Sequence, residues 1–183
     1  MFRNLDAAKL SSKAQKAEIF FYPGAHASLM QKKLESDSKF RAVGHSNVGK
    51  IFILTGSNNI DSIYYGSRNL TDAIQDISTL LDYIKNSFPN SSVQVINILP
   101  RDVKGRNDII NEINLRIKQL CDIDESMNFI DTETEHHLFS NIVFRQKVRK
   151  TDFFNFGDDN VHLNNHGIIR LGRHLKYLAH KYY

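Results

Sequence analysis

"KIFILTGSNN", residues 50–59, decides how this chain is read. It begins as an unbroken apolar run, Ile51-Phe52-Ile53-Leu54, and ends in Gly56-Ser57-Asn58-Asn59. A short apolar run without alternation predicts a strand covered on both faces, as in a parallel sheet flanked by helices. The residues that stop it read first as a turn, because Gly and Asn tolerate left-handed backbone. In an open α/β sheet, however, sites gather beyond the carboxyl ends of the strands. Asn58 stands at such an end, where its side-chain amide could meet a ligand oxygen.

The segments on either side extend this pattern. "AEIFFYPGA" (17–25) predicts a strand stopped by Pro23-Gly24, and Gly24 there leaves a backbone N–H to donate. "ASLMQKKLES" (27–36) predicts a short helix. Residues 69–88 predict a longer one with Leu70, Ile74, Ile77, Leu81 and Ile84 on one face, stopped at Pro89. "SVQVINILP" (92–100) predicts a strand, 107–121 an amphipathic helix capped by Asn107, and "NFIDT" (128–132) a short strand. Residues 133–157 read as irregular. The last helix is expected from Asn165 onward, burying Ile168, Leu171, Leu175 and Leu178. Strands alternating with helices predict an α/β fold with a parallel sheet, in one domain over residues 1–183.

Composition narrows the function classes. A chain of 183 residues can build one sizeable core and is short for two. The formal charge of +4 and pI near 9.1 come from basic residues scattered among acids. A nucleic-acid binder usually clusters them, so such a partner is not expected. Cys121 is the only cysteine, which rules out an intramolecular disulfide and fits a reducing compartment. The first residues lack the apolar stretch of a signal peptide, and no apolar run approaches the roughly 20 residues of a spanning helix. The expected location is intracellular, cytoplasmic or nuclear, where the sequons at Asn69 and Asn90 carry no meaning.

Several motifs fail on inspection. "GHSNVGKI" (44–51) is near a phosphate-binding loop, but Ile51 replaces the magnesium-binding hydroxyl and the stretch precedes a strand instead of following one. The adjacent pair His136-His137 has no carboxylate or thiol cluster at ligand spacing, so no metal is expected. His26, His45, His174 and His180 read as surface residues, and His166-Gly167 as a structural helix start.

"DDNVHLNNHG" (158–167) is different. Asp159 stands three residues before His162, a spacing that suits a carboxylate orienting an imidazole base. Its structural alternative is a helix-entry acid beside a buried histidine. Taken in order, four segments resemble the blocks of the SGNH (GDSL-type) hydrolases, especially the compact domains of mobile-element and viral proteins. "FFYPGAHASLM" resembles the second block, "ILTGSNNID" the third, "VINILPR" with "NDIINEINLRI" the strand and helix that follow, and "DDNVHLNNHG" the last.

The resemblance implies a three-layer, flavodoxin-like α/β sandwich that hydrolyses acyl esters without a metal or organic cofactor. It implies Gly24 and Asn58 as oxyanion donors, with His162 as base and Asp159 as its orienting acid. Two departures stand out. Asn59 replaces the family's usual Asp. The family's Gly-Asp-Ser block, which carries the first strand and the nucleophile, would fall ahead of Met1. Ser11, Ser12, Ser28 and Ser57 are poor substitutes, Ser28 the least so.

The expectation is therefore a non-catalytic pseudoenzyme, structural, self-assembling or binding a small acyl ligand. The alternative is an active serine esterase whose serine lies upstream of Met1. A sheet lacking its first strand also implies one of two repairs. "EIFFY" (18–22) and "KIFIL" (50–54) would pair directly, or a second copy or partner chain would donate a strand.

Overall fold

The computed structural model describes residues 6–11, 16–43, 48–101, 105–132, 140–143, 146–149 and 163–180. Their contacts gather into two compact units. One comprises residues 24–99 and 103–131; the other comprises 1–23, 100–102 and 132–183.

The first unit is built on a parallel sheet of three strands, β1 (Lys50–Ile53), β2 (Ser92–Ile96) and β3 (Met127–Ile130), in the order β1-β2-β3. Parallel neighbours need a crossover. Helices α4 (Ser57–Tyr64) and α5 (Leu70–Ser87) connect β1 to β2, and α6 (Arg106–Ile123) lies between β2 and β3. Two shorter helices, α2 (Ala27–Ser36) and α3 (Ser38–Ala42), precede β1. The central strand β2 is the best covered, with Val93, Val95 and Ile96 all buried. Its two polar side chains bond to each other, Gln94 donating to Ser92 Oγ at 2.7 Å.

Beyond β2 the ladder gives out, and a side chain takes over. Asn114 of α6 accepts from the Ile98 N–H at 2.7 Å and donates to the Ile98 carbonyl at 3.0 Å. One amide thus satisfies both backbone groups of a residue that has left the sheet, where an unpaired buried group would cost about 1–3 kcal/mol. The helices close the core with Ala73, Ile77, Leu80, Leu81 and Ile84 of α5 and Ile110, Ile113, Ile117 and Cys121 of α6. Burial pushes the Cys121 thiol up to about 11, with Asp122 and Asp124 adding to the rise, so it packs as a neutral side chain.

The second unit contains α1 (Ala7–Leu10), an antiparallel pair β4 (Ser140–Val143) and β5 (Gln146–Arg149), and α7 (Asn165–His180). Asp6 caps α1 by accepting from the Ala8 N–H at 2.9 Å. Lys176 of α7 donates to the Lys9 carbonyl at 3.2 Å. Ile168, Leu171, Leu175 and Leu178 form the buried stripe of α7.

Several expectations change. Residues 16–22 adopt no strand, and β1 pairs with β2 alone among the described strands, so the direct ladder between "EIFFY" and "KIFIL" is not formed. The buried face of α5 is turned from the expected one: Ala73 and Leu80 are buried, while Leu70 and Ile74 are only half-buried. A small alanine at position 73 permits close helix approach, which a count of large apolar residues overlooks. The start of α6 is capped by Gly105 in left-handed backbone (φ 81°), not by Asn107. Within the stretch expected to be irregular lies the β4–β5 pair. His174 is buried on α7 instead of lying at the surface. No described helix is long and apolar enough to cross a membrane.

The end of α6 is fixed by charge. Lys85 of α5 pairs with Asp124, whose other oxygen accepts from Ser126 N at 3.0 Å and Ser126 Oγ at 2.7 Å. These bonds hold the Asp124 carboxyl at about 2, below its ordinary 3.8. A depressed folded-state value stabilises the fold above the unfolded value, and the contribution is lost as pH falls through the folded one. Urea unfolding of wild type and Asp124→Asn should therefore show a wild-type advantage that is intact at neutral pH and fades as the pH falls from about 3.8 to about 2.

Candidate functional site

Two of the segments singled out by sequence, around Gly24 and around Asn58, meet beyond the carboxyl end of β1. After Ile53 the chain passes through Leu54 and Thr55 to Gly56, whose φ of 90° makes it the left-handed N-cap of α4. A side chain is excluded there on two counts. The backbone conformation suits glycine, and a Cβ would lie 2.7 Å from Ile98 Cδ1 and 3.3 Å from Ile77 Cδ1. "GSNN" is therefore not a free turn but the tight entry of a helix, which places Asn58 and Asn59 in its first turn.

Adjacent residues on a helix point in directions about 100° apart. Asn58 is exposed and Asn59 is fully buried, at 0% exposure. Both reach the segment around the Gly24 turn, more than thirty residues earlier. Asn58 Nδ2 donates to the Ala25 carbonyl at 3.0 Å, and Asn59 Oδ1 accepts from the Ala27 N–H at 3.2 Å. Ala27 opens α2, whose first N–H groups have no acceptor within the helix. Asn59 caps that helix from outside, across the fold.

Gly24 is exposed in left-handed backbone (φ 72°), and nothing lies within 4 Å of where its Cβ would be. His26, expected at the surface, is the N-cap of α2. Its Nδ1 accepts from Leu29 N at 3.4 Å and lies 3.0 Å from Ser28 Oγ. Because Nδ1 accepts from the backbone N–H, the serine hydroxyl is the donor to it. The structure thus brings the Asn58 amide to the Ala25 carbonyl, one residue after Gly24. Asp159 and His162 lie outside the described residues.

Asn59 is the residue that sequence reading undervalues. Read as a turn position, it has no preferred side. Read as the third residue of a helix followed by Ile60 and Ile63, it falls on the inward face. The apolar spacing after "GSNN" carried that signal. Among the described residues, no cluster of His, Cys, Asp and Glu is arranged to hold a metal ion.

No protein-family model matches this chain, and no curated protein matches its sequence. Among solved structures, a protein from Streptococcus pneumonia described as a "putative platelet activating factor" matches with a TM-score of 0.65. The match covers 87% of this chain and 69% of the other, at 17% sequence identity. At that identity the likeness shows a shared α/β fold and nothing about activity.

The Gly56 junction gives a direct check on this geometry. Gly56→Ala forces a side chain into left-handed backbone and against Ile98, and should lower stability by about 1–3 kcal/mol in denaturant unfolding.

Proposed function

We propose that this chain is an SGNH/GDSL-type esterase fold turned to a non-catalytic role, holding a small acyl ligand or serving in assembly with another chain. The observation that carries the reading is the use made of the two asparagines. Asn58 and Asn59 each bond to the backbone of the Gly24–Ala27 segment, so the asparagine at the oxyanion position also holds the loop in place. The fold shared with the Streptococcus pneumonia structure and the four ordered sequence blocks support the same ancestry.

Among the described serines, the one beside a histidine is used structurally. These 183 residues contain no Gly-Asp-Ser. Ser28, the best placed substitute, does donate to a histidine, but that His26 nitrogen also receives the Leu29 N–H and caps α2. Protonating it, as a general base must be protonated, would sacrifice the cap. Ser28 and His26 are better explained as a helix-start motif.

The rival reading is an active serine esterase whose nucleophile lies upstream of Met1, with His162 as base and Asp159 as its orienting acid. A fluorophosphonate probe separates the two, because it reacts covalently only with an activated serine. Incubated with the protein isolated from its natural source, the probe should leave the intact mass unchanged. A stoichiometric adduct on a serine, lost in His162→Ala, would overturn the non-catalytic reading.

A further inference from the structure

A second surface lies at the other end of the sheet. Strand β3 starts at Met127, so the corner where α5, α6 and β3 meet is at the amino ends of the strands, opposite Asn58. A cleft of about 170 Å³ opens there. Its deeper walls are the buried Leu81 and Met127 and the half-buried Leu120, and its rim carries Asp82, Ile123 and Asp124.

Ile123 is 83% exposed, the most exposed large apolar side chain among the described residues. It is the last residue of α6 and stands at the lip of an apolar hollow that the fold leaves unfilled. Exposed apolar surface of this kind, rimmed by polar groups, marks a contact site. Pockets for whole small molecules usually run to about 300–1,000 Å³, so a cleft of this size takes one side chain. An anchor residue of a protein partner meets that description.

Charge sets the chemistry of the partner. Asp82 and Asp124 line the cleft, and Asp122 and Glu125 adjoin its lining residues in the chain. The nearby lysines are already engaged, Lys85 with Asp124 and Lys118 with Asp122. Asp82 and Glu125 are exposed and make no hydrogen bond or ion pair among the described residues. The last turn of α6 holds no basic residue to offset the partial negative charge of a helix C-terminus. The cleft is thus an acidic spot on a chain of formal charge +4, and it favours a cationic occupant. A two-fold contact between copies would set this acidic face against itself, which disfavours a second copy as the occupant.

We propose that this cleft docks a basic, amphipathic segment of a partner protein. An aliphatic side chain of that segment sits on Leu81, Leu120 and Met127 and covers Ile123, while a neighbouring lysine or arginine pairs with Asp82. The surface is separate from the Gly24–Asn58 loops, so the proposal holds whether or not the protein is catalytic.

The test titrates the whole chain, labelled with ¹⁵N, with the peptide acetyl-Lys-Leu-Arg-Leu-Lys-amide. Two controls replace its basic residues by Glu or its leucines by Ser. The basic peptide should shift the Leu120, Ile123 and Met127 amide signals saturably, with an affinity that falls as salt rises. Asp82→Asn should weaken it by about threefold, the worth of one exposed ion pair. Ile123→Ser should weaken it by about tenfold, because the covered apolar side chain is gone. Both substituted residues are exposed, so the variants should keep the wild-type fold.

Wild-type signals indifferent to the basic peptide would overturn the proposal. Equal binding of the Glu peptide would do the same, and equal binding of the Ser peptide would reduce the cleft to a patch of acidic charge. Self-association in sedimentation, abolished by Ile123→Ser, would assign the face to a second copy and overturn the proposed partner. None of these results depends on serine labelling, so this proposal and the non-catalytic reading can fail separately.

Discussion

Everything at the carboxyl end of the sheet depends on two side-chain hydrogen bonds that span more than thirty residues of chain. Asn58 and Asn59 hold the Gly24–Ala27 segment against the start of α4. Asn58 ties down the Ala25 carbonyl and Asn59 the Ala27 N–H, while His26 caps α2 at Leu29 N. Gly56 makes the clamp possible. Its left-handed backbone turns the chain sharply enough that one asparagine faces solvent and the next faces the interior.

A second amide performs the corresponding task one strand along. Asn114 closes off Ile98 where β2 has ended, so that the chain can leave the sheet without stranding a buried N–H and C=O. Both devices follow from the same constraint. Parallel strands end abruptly at the edge where sites form, and the backbone groups exposed there need partners that the ladder no longer supplies. At these junctions the unit uses asparagine, which can both donate and accept. The price appears at Asn59, where one half of the amide is used and the other is not.

The parts of the fold readable from sequence were those fixed by long periodic patterns. The stripe of α7 was legible because Ile168, Leu171, Leu175 and Leu178 recur at helical spacing, and α2 because "ASLMQKKLES" is bounded by a turn and by Asp37. The strands β1, β2 and β3 were legible as apolar runs between turn residues. "EIFFY" is a similar apolar run and forms no strand, so the pattern alone does not decide. The turned face of α5 escaped because Ala73 contributes close approach and not bulk. At the site, the place of Asn58 beyond the end of β1 was legible from the apolar run before it, whereas the strand expected before Gly24 is not formed. The role of Asn59 was not legible, because it depends on reading "GSNN" as the start of a helix.

The most direct test of the account is the hydrogen exchange of a single amide, the Ala27 N–H. It sits in the first turn of α2, where no intrahelical acceptor exists, so the Asn59 side chain is its hydrogen-bond partner. The account predicts that this amide exchanges slowly in the wild-type protein and that Asn59→Ala accelerates it selectively, leaving the core amides of β2 protected. Fast exchange in the wild type, or the same slow rate in Asn59→Ala, would contradict the clamp on which the site is built.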